Sequence, residues 1–497
     1  MGKKRVVVVG AGPGGLTASM ILASKGYEVE IFEKNVEIGG RNGAYRFDGF
    51  TFDIGPTFLM MRNLLEDVFN LSGRRVEDYL DIRRLDPFYR LLFADGTDFR
   101  PTADREAMRE QIERLFPGNW PGYLRFLEVE QRKYDRISPC LQVPYSTLGA
   151  YLTPRFGKAL PYLDAHKSLF GHLGGYFDAD KLKIAFTFQA KYLGMSPWSC
   201  PATFSIISFI EHTGGIHHPV GGLNQISRAM AKVLGEEQGK IHLGTPVKQL
   251  LVEGRRAVGI ELASGEKVHA DHVVLNADFG YAMNELVPPG LLRRWSPEQL
   301  RTKGFSCSTF MLYLGVDKLY DIPHHNVIFA QDYKHNVDEI AERLVLSDDP
   351  SIYVQNACVT DPSLAPAGKS TLYVLVPVPN NRSGIDWPRE TPGFRDKVLA
   401  LLETRGGLAG LRQHIVAEKV VTPQDWQHQT NVYEGATFNL AHNIAQMLYF
   451  RPHNQFEEID DLYLVGGGTH PGSGLPTIYE SGRISAGLML KRDAWYL

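Results

Sequence analysis

The residues whose spacing could do chemistry are mostly glycines. Gly10-Ala11-Gly12-Pro13-Gly14-Gly15 satisfies the G-x-G-x-x-G pattern directly after the β-branched run Val6-Val7-Val8-Val9 and at the mouth of a helical pattern. In such a turn the first glycine permits the tight bend, and the second lets backbone N–H groups approach a diphosphate. The third lets helix and strand pack closely. The positive end of the helix then faces the negative phosphate. Glu33, with Lys34 beside it, closes a second strand pattern at the spacing where an acid accepts hydrogen bonds from an adenosine ribose. A carboxylate there disfavours a 2′-phosphate.

Nicotinamide and flavin dinucleotides both use this unit, and the residues that follow separate them. Glu37-Ile38-Gly39-Gly40-Arg41 offers a second glycine approach to the diphosphate and a guanidinium suited to paired phosphate contacts, for which a plain NAD domain has no need. FAD is therefore the expected cofactor. The turn holding Asp53, Gly55, Pro56 and Thr57 is placed near the flavin, with helix capping as the other role open to Asp53. Val247 is placed where a strand backbone could clasp the adenine, or else in the core. Near the C-terminus, the turn Gly466 to Pro476 precedes a helix with Pro in its first turn. Its Gly467, Gly468, Thr469, Gly474, Leu475 and Pro476 are expected against the flat isoalloxazine, with the helix start at its pyrimidine edge. His470 is expected as a contact residue and not a general base. No Ser-His-Asp arrangement, paired carboxylates or metal-ligand spacing stands out, so the chemistry is assigned to the flavin.

These motifs need elements to hold them. The first strand leads into a helix from Leu16 to Lys25 closed by Gly26, and then a strand from Tyr27 to Glu33, which completes a βαβ unit. Residues 223–234 read as a helix, and 241–243, 246–252, 257–262 and 267–275 as strands. Aromatic, β-rich runs at 310–314 and 372–376 are expected in a sheet roofing a substrate cavity, and 461–465 as a strand entering the last glycine turn. The fold class is α/β: an FAD-binding Rossmann-like domain of the glutathione reductase/amine oxidase kind, with an inserted α+β substrate domain. The cofactor domain is expected from three pieces, 1–62, 215–300 and 436–497. The substrate domain is expected from 63–214, which carries the membrane-associating part, and from 301–435, which carries the sheet.

Composition excludes several other classes. With 497 residues, 43% hydrophobic and 22% charged residues and a net charge of -3, the chain reads as a multi-domain globular protein with no electrostatic call for nucleic acid. Cys140, Cys200, Cys307 and Cys358 are too far apart for a metal pair or redox dithiol and fit a reducing, cytoplasmic setting. Lys3-Lys4-Arg5 and the uncharged run after it imitate a signal peptide, but Gly10, Gly12, Gly14 and Gly15 would fracture its apolar core. Gly2 does not fit a myristoylation signal, which wants Ser or Thr where this chain has Val6.

Beyond these motifs, the segments 191–197, Gly221-Gly222, Asn276-Ala277-Asp278, 361–368, Arg451-Pro452-His453-Asn454 and the GTHPGSGLP form of the last turn resemble the bacterial phytoene desaturase-type carotenoid oxidoreductases, nearly end to end. Within that family the chain is most similar to the 4,4′-diapophytoene desaturases, because Thr477 to Arg483 departs from the small-residue pattern of the 40-carbon enzymes. The resemblance adds Asn276 to the cofactor-binding set. It implies hydride transfer from an allylic carbon of an apolar isoprenoid to the flavin, with a quinone or oxygen as the terminal acceptor. It also implies peripheral attachment to the cytoplasmic membrane, with residues 161–177 and Leu160 as the candidate patch or an ordinary core-facing helix hairpin. Asp164 and Lys167, three apart in an expected helix, are the candidate catalytic acid and base, with a structural ion pair as the other reading.

Overall fold

The computed structural model describes residues 3–493; Gly2 lies outside them. Val6 to Val9 form the middle of a five-stranded parallel sheet, ordered Leu462–Leu464, His272–Leu275, Arg5–Val9, Glu28–Phe32 and Lys240–His242. All four pairings are parallel. A parallel strand is covered on both faces, which is why it reads as an unbroken valine run instead of an alternation. The helix Pro13–Ser24 crosses over behind it, with Gly12 as N-cap and Pro13 at the first helical position. Its residues from Pro13 to Ala23 are all buried, so it is walled in and not amphipathic.

Two further helices close that wall. Asn224–Glu236 and the terminal Leu475–Arg492 both pack on Pro13–Ser24. The last approach is very close: a Cβ on Gly482 would lie 2.8 Å from the Gly14 carbonyl oxygen. The 267–275 run is not one strand but two, Lys267–His269 and His272–Leu275, broken at Ala270-Asp271. Lys267–His269 ends an antiparallel three-stranded sheet with Val247–Glu253 and Arg256–Leu262, while His272–Leu275 joins the parallel one.

The other half is built on a seven-stranded mixed sheet, ordered Ile415–Val421, Ser308–Val316, Ser370–Val378, Ile352–Gln355, His325–Ile328, Arg90–Leu92 and Asp98–Phe99. Its last two strands come from the segment 63–214, whose sequence pattern shows mainly helices. Ser308–Val316 is buried at every position. Helices Trp120–Leu141 and Ile206–Gly214 cap this half. Between them, Glu130 and Lys133 are buried and paired at 3.3 Å, and Ser205 Oγ donates to Glu130 at 2.7 Å.

Candidate functional site

The glycine turns and the seven-stranded sheet enclose a cavity of about 710 Å³. At one end its wall is formed by Gly10, Gly12, Pro13, Glu33, Lys34 and Val247. Gly40 and Arg41, Gly55 to Thr57, Asn276, Gly467 and Gly468, and Gly474 to Pro476 continue it. At the other end it is apolar, with Phe188, Val327, Ile352 and Leu375 in the wall. A single volume thus joins the glycine turns to an oily pocket.

Each motif residue has a mechanical reason for its place. Glu33 is buried, and its Oε2 accepts from the Ala11 N–H at 2.8 Å while Oε1 accepts from Asn35 N–H at 2.9 Å. Lys34 Nζ donates to the Gln429 carbonyl at 3.0 Å. The Asn276 amide donates to the Gly10 carbonyl at 3.0 Å and lies so near the glycine turn that a Cβ on Gly12 or Gly15 would meet its Nδ2 at 2.8 Å. Arg41 donates to the Thr437 carbonyl at 2.7 Å and faces Asp278 at 3.8 Å, so its guanidinium is held at the cavity wall. Asp278 was not among the expected site residues; burial pushes its carboxyl up while Arg41 pulls it down.

The turn 54–57 is tied to the seven-stranded sheet by three tyrosines. Tyr313 donates to the Ile54 carbonyl at 2.6 Å, Tyr373 to the Gly55 carbonyl at 2.7 Å, and the Tyr353 hydroxyl is 2.7 Å from Thr57 Oγ1. No local sequence pattern signals these bonds, because each spans some 260 residues or more.

Several expected residues lie behind the wall. Gly14, Gly15 and Gly39 shape it from outside, Gly39 by donating to the Ala11 carbonyl at 2.8 Å, which joins the two glycine turns. Asp53 is buried away from the cavity and caps a helix, though not the one that follows it. Its Oδ1 accepts from Leu223 N–H at 2.7 Å, at the start of Asn224–Glu236, and burial raises its carboxyl to about 6. Thr469 donates to the Pro452 carbonyl at 2.6 Å. His470 is buried edge-on to Tyr145, and burial holds its imidazole down to about 3.

Asp164 and Lys167 do form an ion pair, at 2.8 Å, but not on a helix: Asp164 has φ 45 and sits in an irregular stretch. Asp164 also pairs with the buried Lys133 at 3.4 Å, so the carboxylate belongs to the ionic pin of the helical cap, and neither residue reaches the cavity. The cavity wall therefore does not include the expected acid–base pair, whose carboxylate and ammonium are engaged in ion pairs. The stretch 161–177 is likewise no helix hairpin; Leu169 and Phe177 are buried, while Leu160 is 58% exposed.

The donor set fits FAD. Pro13–Ser24 and Leu475–Arg492 both begin at the cavity with a glycine N-cap and no side-chain cap, which leaves two sets of helix N–H groups free for a diphosphate and for the pyrimidine edge of a flavin. The family model described as flavin containing amine oxidoreductase matches residues 13–490, and the chain belongs to that family. It is a flavin-dependent oxidoreductase with FAD as its cofactor.

Among curated relatives, it is 52% identical over 489 residues to a 4,4′-diapophytoene desaturase (4,4′-diapolycopene-forming) of Methylomonas sp, covering 98% of this chain and 96% of the relative. It is 40% identical to a zeta-carotene-forming phytoene desaturase of Myxococcus xanthus, covering 97% and 93%. Cyclohexylamine oxidase from Brevibacterium oxydans shares the fold, with a TM-score of 0.62 at 15% identity and coverage of 99% and 100%.

Proposed function

We propose that this chain is a carotenoid desaturase that introduces conjugated double bonds into 4,4′-diapophytoene, a 30-carbon isoprenoid. The observation that carries the reading is the continuous cavity, whose glycine-lined end suits a dinucleotide and whose other end is walled by Phe188, Val327, Ile352 and Leu375. The full-length relative that forms 4,4′-diapolycopene supports the 30-carbon choice.

Glu33 and Val247 would hold the adenosine, the turns at Gly10–Gly15 and Gly39–Arg41 the diphosphate, and the turns at Gly55–Thr57 and Gly467–Pro476 the flavin ring. Bound there, FAD supplies a two-electron acceptor for the hydride equivalent of an allylic C–H bond. The protein's own part is to orient the chain in an apolar channel and keep water from the cation-like carbon, since Coulombic effects are strong where water is excluded. A quinone or oxygen would then reoxidise the flavin.

A polyene precursor partitions into lipid, so the enzyme would dock on the cytoplasmic membrane. No helix among the described residues is long and apolar enough to cross it. What supports this reading beside 161–177 is a group of exposed apolar side chains, Leu148, Leu152, Leu160, Ile444 and Phe450, with Leu152 88% exposed. Arg155 and Lys158 lie between Leu152 and Leu160 in the chain and suit anionic headgroups.

The test is to incubate the purified holoenzyme with 4,4′-diapophytoene and with phytoene separately, under nitrogen with a quinone, and to follow polyene absorbance. Red-shifted products from the first substrate support the reading. Products from phytoene alone move the assignment to the 40-carbon activity named for the Myxococcus relative, and bound FAD that neither substrate reduces overturns it.

A further inference from the structure

The cavity wall contains an amine with no hydrogen-bonding or ionic partner among the described residues. Lys191 lines the cavity. Among the described residues its Nζ makes no ion pair or hydrogen bond, and its recorded partner is the Tyr333 ring, 4.7 Å away at the centroid. The other charged groups in the wall are engaged at the nucleotide end: Glu33 with Ala11, Lys34 with Gln429, Glu37 with Arg46, and Arg41 with Thr437 and Asp278.

The surroundings of Lys191 favour a free base. Burial brings its ammonium down to about 7, and the ionisable groups that face it are the Cys307 thiol, pushed up to about 12, and the Tyr333 phenol, pushed above its usual range. Neither is an anion at neutral pH, so among the described residues the π face of Tyr333 alone favours the ammonium, and no counter-anion holds the proton on the amine.

The turn that carries the amine is also braced relative to the flavin turn. Lys191 sits in the 3-10 turn Phe188–Leu193, which ends at Gly194 with φ 67, where the Gly194 N–H donates to the Lys191 carbonyl at 3.0 Å. A Cβ on Gly194 would meet Ser306 Cβ at 2.7 Å and the Phe438 ring at 3.2 Å. Phe438 N–H donates to Ser306 Oγ at 3.0 Å, and the Phe438 carbonyl accepts from Ser473 Oγ in the C-terminal glycine turn. The lysine turn and the flavin turn are thus braced on the same residue.

We propose that Lys191 Nζ is the base that takes the proton from the substrate carbon next to the oxidised one, an inference that rests on the desaturase reading. The C–H bond at that carbon breaks, its electron pair becomes the π component of the new C=C bond, and the proton forms an N–H bond on Nζ. The hydride equivalent from the neighbouring carbon leaves with the two-electron acceptor that the activity already supplies. A neutral amine suits this step better than a carboxylic acid or an ammonium, because it can take a proton without first placing a positive charge beside a developing allylic cation.

The experiment compares wild-type holoenzyme with Lys191→Met and Lys191→Arg. In anaerobic single turnovers with 4,4′-diapophytoene from pH 5.5 to 9, the wild-type rate rises through an inflection near 7, and both variants are slower by about 100-fold with a flat profile. FAD affinity, read by flavin fluorescence quenching, stays within about twofold, which separates a lost base from a lost fold. A readout independent of turnover is the pH dependence of Lys191 acetylation by acetic anhydride, followed by peptide mass spectrometry, with its midpoint expected near 7. Wild-type rates in either variant, or an acetylation midpoint near 10, overturn the proposal while leaving the desaturase reading in place. A wild-type enzyme that oxidises no polyene removes the desaturase reading, and the base with it.

Discussion

Arg451 donates from Nη2 to the carbonyl of Gly467 at 2.6 Å, and the guanidinium that does so is fully buried. Three more of its hydrogen bonds also go to backbone carbonyls, those of Thr469 at 3.1 Å and of Gln446 and Leu440 at 3.3 Å, and a longer one reaches the Met447 sulfur at 4.0 Å. Burial with no carboxylate partner among the described residues brings its pKa down to about 9, still charged at neutral pH. One side chain thereby satisfies two carbonyls of the flavin turn and two of the segment before it, a geometry that the fork of an arginine matches and an ammonium does not.

Replacing Arg451 by Lys or Met should therefore release that turn. Buried carbonyls left without donors cost roughly 1–3 kcal/mol each. Both variants are expected to purify with less than half the wild-type flavin, measured as the ratio of 450 nm to 280 nm absorbance, and to melt at lower temperature.

Glu33 holds the glycine turn as well as facing the cavity, so Glu33→Ala loses both roles. Its FAD dissociation constant should rise by at least about tenfold, equivalent to about 1.4 kcal/mol. Glu33→Gln should fall between, since its amide oxygen can still accept from Ala11 N–H but its NH₂ cannot accept from Asn35. Fluorescence titration of the apoprotein reads both.

Asp53 is a helix cap by its geometry, and its variants should show that. Asp53→Ala is expected to lower stability by about 1–2 kcal/mol, the usual worth of a cap, and Asp53→Asn by less. The FAD dissociation constant should change by less than twofold in Asp53→Asn. A large loss of flavin affinity in a fully folded Asp53→Asn would place the carboxylate at the cofactor instead.

Two glycine-to-alanine substitutions should have opposite effects. At Gly15 a Cβ would lie 2.6 Å from the Gly10 carbonyl oxygen, so helix and strand must part. Gly393 stands in the helix Trp387–Thr404 with nothing within 4 Å of an added Cβ. Gly15→Ala should abolish flavin binding or soluble expression, while Gly393→Ala should stabilise by about 0.4–1 kcal/mol.

Acid should destabilise the protein well before its carboxylates titrate, the raised Asp53 excepted. Burial holds His212 and His470 down to about 3 and keeps His324, His325 and His442 well below the usual imidazole range. Below about pH 6.5 the unfolded chain takes up protons at these positions and the folded chain does not, so stability falls as pH falls. The melting temperature should drop by about 5 °C between pH 7.5 and 5.5. An unchanged melting temperature over that range would show that these imidazoles are charged in the folded state.

What sequence made legible was the local part of the site. The valine run, the G-x-G-x-x-G turn, Glu33 and the glycine turn before Leu475 are contiguous, and each is dictated by a backbone shape that few residue types permit. Asn276 could be seen through resemblance alone, since its bond to the Gly10 carbonyl joins residues 266 apart. Arg451 stood inside a quoted motif yet had no assigned role, because nothing in Arg-Pro-His-Asn says that the guanidinium turns inward toward four carbonyls. Asp164 and Lys167 looked like a helical pair by spacing, but the Lys133 ammonium and the positive φ of Asp164 fix a different backbone. The strands at 90–92 and 98–99 are too short to show a period of two and exist because they finish the edge of a sheet made elsewhere.

The parallel sheet takes its outer strand, Leu462–Leu464, from far along the chain after its central strand, Arg5–Val9. A ribosome making this protein has therefore delivered the first βαβ unit more than 400 residues before the strand and helix that complete it. FAD loading must then be largely post-translational, and nascent chains will carry an open, apolar sheet edge for most of their synthesis. Expression yield should consequently depend on chaperone supply more than on flavin supply, and a stop codon ahead of Leu462 would remove an outer strand of the sheet and part of the cavity wall together.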